Sequence, residues 1–409
     1  MKYLNRQLEN IAFNKDFGRQ MRFIAGPRQC GKTCLAKNFL ARHNLENNYF
    51  NWDQRKIKIS YRENPLFFLA QISENLTHKS DKTWICFDEI HKIPAWKNIL
   101  KDYFDTYEDK MNFIITGSAR LNLFRKSGDS LVGRYFLFHL MPFALKELIK
   151  SKVAWHFNNS ATIWLKKILN KNNYEQSALE HLLAFSGFPE PLIKGSKAFA
   201  NKWRFDYIDH VLQEDLRPLT KVAEIENIAN LFYLLPERIG SPLSLNSLRE
   251  DLAVSHATIK NYLQALKLVY MVFTLKPYYK KLNRTLRKEE KVYFYDWTRA
   301  KNKGAQFENY IAVELLIIIN LWNDAGLGRF ELFYIRNKEK QEIDFLIVHN
   351  DKPWMLIESK LKKNPIVSHC YTFAKKLGNP PIVQLVLENK VKEILPQNTY
   401  RFSASLFFS

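Results

Sequence analysis

The sequence predicts an α/β chain of several domains, opening on a P-loop nucleotide-binding sheet. Three observations predict it. GPRQCGKT at residues 26–33 fits the phosphate-cradling pattern G-x-x-x-x-G-K-[ST]. The apolar run at 83–87 has the continuous character of a strand buried on both faces of a parallel sheet, and 21–25 and 111–116 also read as strands. Between and beyond them, apolar residues recur at helical spacing. The chain has 409 residues, 46% of them hydrophobic and 14% aromatic, enough for roughly two to four domain cores and far from the composition of a disordered segment.

The same composition sets limits on function. Met1-Lys-Tyr-Leu-Asn-Arg runs straight into polar residues, without the pattern of a secretory leader. The longest apolar stretch, at 311–322, is interrupted by Glu314 and falls short of the ~20 residues a membrane-spanning helix needs. A soluble, cytoplasmic protein with no membrane partner is therefore expected. Cys30, Cys34, Cys86 and Cys370 form no C-x-x-C pair, so they are expected to be reduced thiols rather than zinc ligands or disulfides. The net charge of +21 is what a nucleic-acid-binding chain carries. It is also what an AT-rich genome's bias toward lysine produces, so only local clustering counts.

The first strand, 21–25, leads into the glycine-rich turn, and 33–40 reads as the helix that follows. In that setting Gly26, Pro27, Arg28, Gln29, Cys30, Gly31, Lys32, Thr33 and Cys34 would surround the phosphates of ATP. Successive backbone N–H groups and the helix dipole would attract the β-phosphate. Lys32 would reach the β- and γ-phosphates, and the Thr33 hydroxyl would ligate Mg²⁺. At the tip of the 83–87 strand, Asp88 would hold Mg²⁺, directly or through water. Glu89 would act as the catalytic base on the attacking water. Thr116 or Ser118, after the next strand, could sense the γ-phosphate or cap a helix. Arg134 is a candidate to stabilise transition-state charge, in its own chain or a neighbouring one, and equally a surface arginine.

The loop GPRQCGKT, the segment FDEIHKIPAWKNILKDYFD and the stretch from ITGSARLNLF to LVGRYFLFHLMPFALKEL resemble a family of bacterial and archaeal AAA+-like P-loop ATPases. In that family the ATPase is fused to a C-terminal domain of unknown function. The resemblance extends over nearly the whole chain, with its specific motifs in residues 20–150, and implies ATP binding. Self-association through the ATPase domain is a further expectation of this type.

Residues 142–236 carry a helical pattern broken at Ser186-Gly187-Phe188-Pro189, and are expected to form a lid or bridging region at 151–236. Residues 244–252 and 255–266 then read as two helices with a short turn between them, the spacing of a helix-turn-helix. Ser255 would cap the second, exposing His256, Thr258, Lys260 and Asn261. A strand at 269–277 and a basic run at 280–288, with Lys281, Arg284 and Arg287, complete a winged helix at 237–290. It would either contact DNA or serve as a packing module.

The last region, 291–409, is expected to be a helix at 307–321 carrying Glu308 and strands at 331–336, 342–348 and 354–359. A helix at 367–377 and a strand at 382–387 follow. Alternation along the third strand puts Glu358 and Lys360 on one face. With Asp344 on the neighbouring strand, two carboxylates and an ammonium could converge to hold Mg²⁺ and activate water. This α-βββ-αβ order with Asp344, Glu358 and Lys360 resembles the PD-(D/E)XK nuclease superfamily, which implies a restriction-endonuclease-like fold. Asp344 and Glu358 then fall in the metal places, Lys360 in the catalytic place, and Glu308 in that of the auxiliary acid. Ile343 stands where the superfamily's proline would be.

The expected whole is an ATPase whose nucleotide state is coupled to a DNA-facing winged helix and a nuclease-like region. A nucleotide-controlled switch, or a protein-remodelling ATPase with a catalytically silent nuclease-like domain, is the alternative.

Overall fold

The computed structural model describes residues 4–76, 82–117, 131–149, 156–217, 220, 222–278 and 289–409. The chain divides into two compact units, Met1–Met141 and Pro142–Ser409.

In the first unit five strands, β1 (Met21–Ala25), β2 (Tyr49–Asn51), β3 (Thr83–Asp88), β4 (Met111–Thr116) and β5 (Tyr135–His139), form an all-parallel sheet in the order β2-β3-β4-β1-β5. Every residue of β1 is buried, the charged Arg22 included. Helices α1 (Gln7–Ala12), α2 (Lys32–Arg42), α3 (Arg55–Glu63), α4 (Phe67–Leu76) and α5 (Trp96–Tyr107) lie between and around the strands. Phe23, Phe50, Trp52, Phe68, Phe87, Tyr103 and Phe113 fill the core. Burying so many large rings contributes roughly 1.5–3 kcal/mol per side chain before entropy is subtracted.

Arg22, inside β1, is 1% exposed. Its guanidinium donates to the carbonyls of Ala12, Asn14, Phe17, Gly18 and Gln20, pinning the 12–20 loop. Burial lowers its pKa to about 10, still far enough above neutrality to keep the charge.

The second unit is built on an eight-stranded mixed sheet. Its strands are β6 (Val272–Pro277), β7 (Lys291–Phe294), β8 (Phe330–Arg336), β9 (Glu342–His349), β10 (Lys352–Lys360), β11 (Ile382–Val386), β12 (Lys392–Leu395) and β13 (Thr399–Ser403). Their order is β12-β13-β11-β10-β9-β8-β6-β7. β8, β9 and β10 run antiparallel in turn, and β11 lies parallel to β10.

The helical stretch expected as a lid supplies α6 (Ala161–Leu169), α7 (Gln176–Phe185), α8 (Lys197–His210) and α9 (Val222–Leu234), which pack within this second unit. Trp164 of α6 meets Trp322 and Trp354 edge-on, and the Leu182 carbonyl of α7 accepts from Trp297 Nε1. Next come α10 (Leu245–Asp251) and α11 (His256–Leu268), each begun by a serine whose hydroxyl accepts from the N–H three residues on. The hairpin β6–β7 follows them and, through the parallel pairing of β6 with β8, extends the C-terminal sheet. The basic residues Lys281, Arg284 and Arg287 lie outside the described residues, as does Ser118.

Asn302 caps the 22-residue α12 (Lys303–Asp324), its side chain accepting from Ala305 N–H. A second helix, α13 (Ser368–Lys376), joins β10 to β11, with Cys370, Phe373 and Leu377 packed against Ile343, Leu346, Leu356 and Ile382.

Candidate functional site

The carboxyl ends of β1, β3 and β4 lie side by side in the first unit, because the register pairs Ile24 with Thr116 and Asp88 with Thr116. The loop at 26–31 leaves β1 there and enters α2. Its backbone demands unusual torsions: Gly26 at φ 149°, Gln29 at 58° and Gly31 at 99°. A Cβ on Gly26 would stand 1.9 Å from the Leu140 carbonyl oxygen, so only glycine fits. Gln29 holds a left-handed conformation without glycine's freedom, the kind of strain that gathers at ligand-binding loops.

Lys32 opens α2, and its Nζ donates to the carbonyls of Gly26 at 3.0 Å and Pro27 at 2.7 Å. Thr33 Oγ1 donates to Asp88 Oδ2 at 2.8 Å. Asp88, 2% exposed, also receives Tyr49 OH on Oδ2 and Thr116 Oγ1 on Oδ1, each at 2.5 Å. A buried carboxylate bonded by three hydroxyls has the all-oxygen chemistry a Mg²⁺ ion takes. Glu89 follows at φ 59°, with His91 Nε2 at 3.5 Å and Lys92 Nζ at 3.7 Å from its Oε2. Burial, and then the neighbouring Asp88, raise its pKa to about 7.

The remaining loop residues divide. Cys30 is buried, with Sγ donating to the Leu140 carbonyl at 3.2 Å, and its own carbonyl accepts from Arg6. Pro27 is buried, Arg28 and Gln29 are half-buried, and Cys34 is exposed on α2.

Arg134 requires a correction where its own chain is concerned. Met21 N–H bonds its carbonyl, which sets it beside the amino end of β1, while the phosphate loop leaves the carboxyl end. Five strand residues, roughly 15 Å, separate the two ends. The guanidinium instead grips Asp105 through Nε at 2.7 Å and Nη2 at 2.9 Å. Tyr49 and Arg6 are the residues that motif reading misses here. Tyr49 lies on a three-residue strand and Arg6 before the first helix, where no pattern marks either.

In the second unit the acids named from the sequence come together. Asp344 Oδ2 accepts from Ser359 N–H at 2.8 Å and from its hydroxyl at 2.7 Å. Lys360 Nζ donates to Glu358 Oε2 at 2.9 Å, as strand alternation requires. Burial, and then Asp344, raise the Glu358 pKa. Burial works against the Lys360 charge, but Asp344 and Glu358 outweigh it and hold that pKa up. Glu308, on α12, accepts from Tyr293 OH at 2.8 Å and from Lys291 Nζ at 3.3 Å. Burial, followed by Asp344, lifts its pKa to about 7. Glu358 Oε1 is buried without a hydrogen-bond partner, an oxygen placed to accept a cation. Among the described residues no trio of His, Cys, Asp or Glu is gathered as a metal cage. Asp344 and Glu358 stand as a pair. Lys291, Tyr293 and Glu342 join the cluster without any motif to announce them.

Residues 18–149 match the family model described as AAA domain. Residues 176–298 and 303–404 match two models described as domains of unknown function, DUF8612 and DUF4143. An uncharacterized protein of Mycobacterium tuberculosis is 22% identical over 360 residues, covering 84% of this chain and 71% of its own. A Methanocaldococcus jannaschii protein, also uncharacterized, is 24% identical over 297 residues, 68% of this chain and 60% of that one. Two solved structures overlap in part. The Aeropyrum pernix ORC1 protein in complex with DNA has TM-score 0.30 and 14% identity, covering 76% of this chain and 92% of that one. AMPPCP-bound DnaA from Aquifex aeolicus has TM-score 0.25 and 14% identity, covering 64% and 85%. Scores this low describe no common architecture. The AAA match and the geometry agree that the first unit is a P-loop, nucleotide-binding ATPase domain. No helix among the described residues is long and apolar enough to cross a membrane.

Proposed function

We propose that this chain hydrolyses ATP in its first unit and uses the nucleotide state to control a DNA-facing, nuclease-like second unit. The observation that carries the first half is Asp88, bonded by Thr33, Thr116 and Tyr49 at the mouth of the phosphate loop. Lys32 exchanges its two loop carbonyls for the β- and γ-phosphates, which leaves the turn's N–H groups to the same oxygens. Mg²⁺, when bound, would be held by Thr33 and Asp88 and would neutralise charge on the transferring phosphoryl group. Glu89 takes a proton from the attacking water, and its raised pKa matches it to that work near neutral pH. Thr116, in contact with Asp88, is positioned to report whether the γ-phosphate is present.

Support for the second half is chemical and topological. The α10-α11-β6-β7 succession has the order of a winged helix, with His256, Lys260 and Asn261 exposed on α11. The basic run at 280–288 falls between β6 and β7, where a wing would meet phosphates. The order α12-β8-β9-β10-α13-β11, with Asp344, Glu358 and Lys360 converging, supports a PD-(D/E)XK-like site. Asp344 and Glu358 would hold a divalent cation there, and Lys360 would steady the charge developing on phosphate. The closure of Lys360 onto Glu358 also favours a second reading, in which the fold grips DNA without cutting it.

Supercoiled plasmid with Mg²⁺ or Mn²⁺, with and without ATP, separates the readings. Cleavage that disappears in Asp344→Ala and changes with ATP supports the coupled nuclease. Salt-sensitive binding without cleavage supports the silent switch, and cleavage that survives Asp344→Ala overturns the assigned site.

A further inference from the structure

The C-terminal cluster encloses an ammonium that solvent does not reach. Lys291 is 0% exposed, and its Nζ lies 3.3 Å from Glu308 Oε1 and 2.5 Å from Glu342 Oε1. Glu342 is also held by Arg336 Nη1 at 2.8 Å. Gly240 closes another side, since a Cβ there would stand 2.6 Å from Glu308 Oε2. Two carboxylates of the cluster are thus committed to cations of the chain itself. The other two keep capacity, Glu358 through the oxygen that Lys360 does not hold. Asp344 is bonded by the neutral Ser359, and Glu358 has Oε1 buried without a partner.

We propose that Lys291 is a built-in cation of this cluster, occupying the place of a second metal ion and limiting the cluster to one divalent cation at Asp344 and Glu358. The proposal rests on reading the cluster as a metal site. Two-ion hydrolytic sites set both ions about 4 Å apart on shared carboxylates. Here Glu308 and Glu342 give their oxygens to a fixed ammonium. A divalent ion brought among them would meet an unscreened positive charge in a low-dielectric interior. With Lys291 removed, Glu342 would keep Arg336 and Glu308 the Tyr293 hydroxyl, but both would lose the ammonium they share, and a divalent ion would take its place.

Mn²⁺ bound per chain, counted by electron paramagnetic resonance on the nucleotide-free full chain, tests this. The Asp88→Asn background removes the first unit's own carboxylate ligand for a divalent ion, so that only the second unit is counted. One ion is expected with Lys291 present, one with Lys291→Arg, and two with Lys291→Met. Two ions with Lys291 present overturn the proposal and leave the metal-site reading standing. One ion in folded Lys291→Met also overturns it. No ion in any form removes the metal-site reading and the proposal together. If Lys291→Met is unfolded without metal, refolding is attempted in Mn²⁺. Recovery of native circular dichroism with two bound ions supports the proposal, and no recovery at any Mn²⁺ concentration overturns it.

Discussion

The two acidic sites of this chain solve the same electrostatic problem in opposite ways. Around Asp88 the donors are neutral: hydroxyls of Thr33, Tyr49 and Thr116, with Lys32 turned onto loop carbonyls. Around Glu308, Glu342 and Glu358 the donors include cations, Lys291, Arg336 and Lys360. The first site leaves its charges to be answered by whatever binds. The second answers most of its own. A site of the first kind is built to respond to an incoming nucleotide, whereas one of the second kind is built to stay put until something displaces a cation.

Substitutions can break or sharpen this contrast. Lys32→Ala should have the largest effect. Removing a charge that only the ligand answers should cost nucleotide affinity at least ~100-fold, about 3 kcal/mol, measurable by calorimetry with ATP. Undiminished affinity would mean that the phosphate loop is misassigned. Glu89→Gln should retain nucleotide binding while slowing turnover by about 10²- to 10⁴-fold, as loss of a general base does. Single-turnover hydrolysis at parental rate would remove Glu89 from the chemistry.

A smaller effect tests whether the second unit tolerates charge that it does not answer. Glu314 is fully buried on α12, with Oε1 accepting from Leu145 N–H at 2.7 Å and Tyr310 OH at 2.9 Å, while Oε2 has no partner. Burial raises its pKa to about 8, so the folded chain holds a proton that the unfolded chain, near ~4.3, releases. Its stabilisation is therefore complete below the unfolded value and is lost as pH rises toward and through 8. Glu314→Gln should raise the melting temperature of the second unit at pH 8.5 and flatten its slope between pH 5 and 8. About 1 kcal/mol regained moves the midpoint of so large a domain by roughly 2–4 °C. An unchanged slope would mean that this carboxyl is ionised in the fold.

Arg134→Ala should change least. Bound to Asp105 at the far end of β1, it should leave nucleotide affinity as it was. A loss of turnover that deepens as protein concentration rises would instead reveal that it acts on a neighbouring copy.

Much of this was legible in the sequence where burial is continuous. The strands expected at 21–25 and 111–116 have those limits, because a polar residue precedes each and a glycine follows it. The helices of the helix-turn-helix begin at serines that do cap them. Legibility fails where a residue's role depends on distant partners. Lys291, in the charged stretch KEEKVYFYD, reads as one more surface lysine until Glu308 and Glu342 arrive from α12 and β9. Tyr49 is a strand residue by any local measure, and only the pairing of β2 with β3 brings its phenol to Asp88. The terminal strands β12 and β13 escape detection because each is short and half polar.

Arg6 gives the phosphate loop something that its own sequence lacks. One guanidinium nitrogen holds the Cys30 carbonyl and the other the Met141 carbonyl, clamping the loop from behind to the segment that follows β5. The eight-residue signature is thus a blade whose handle lies some twenty residues upstream. A chain trimmed of its first ten residues would keep every motif letter and still present a slack edge to ATP.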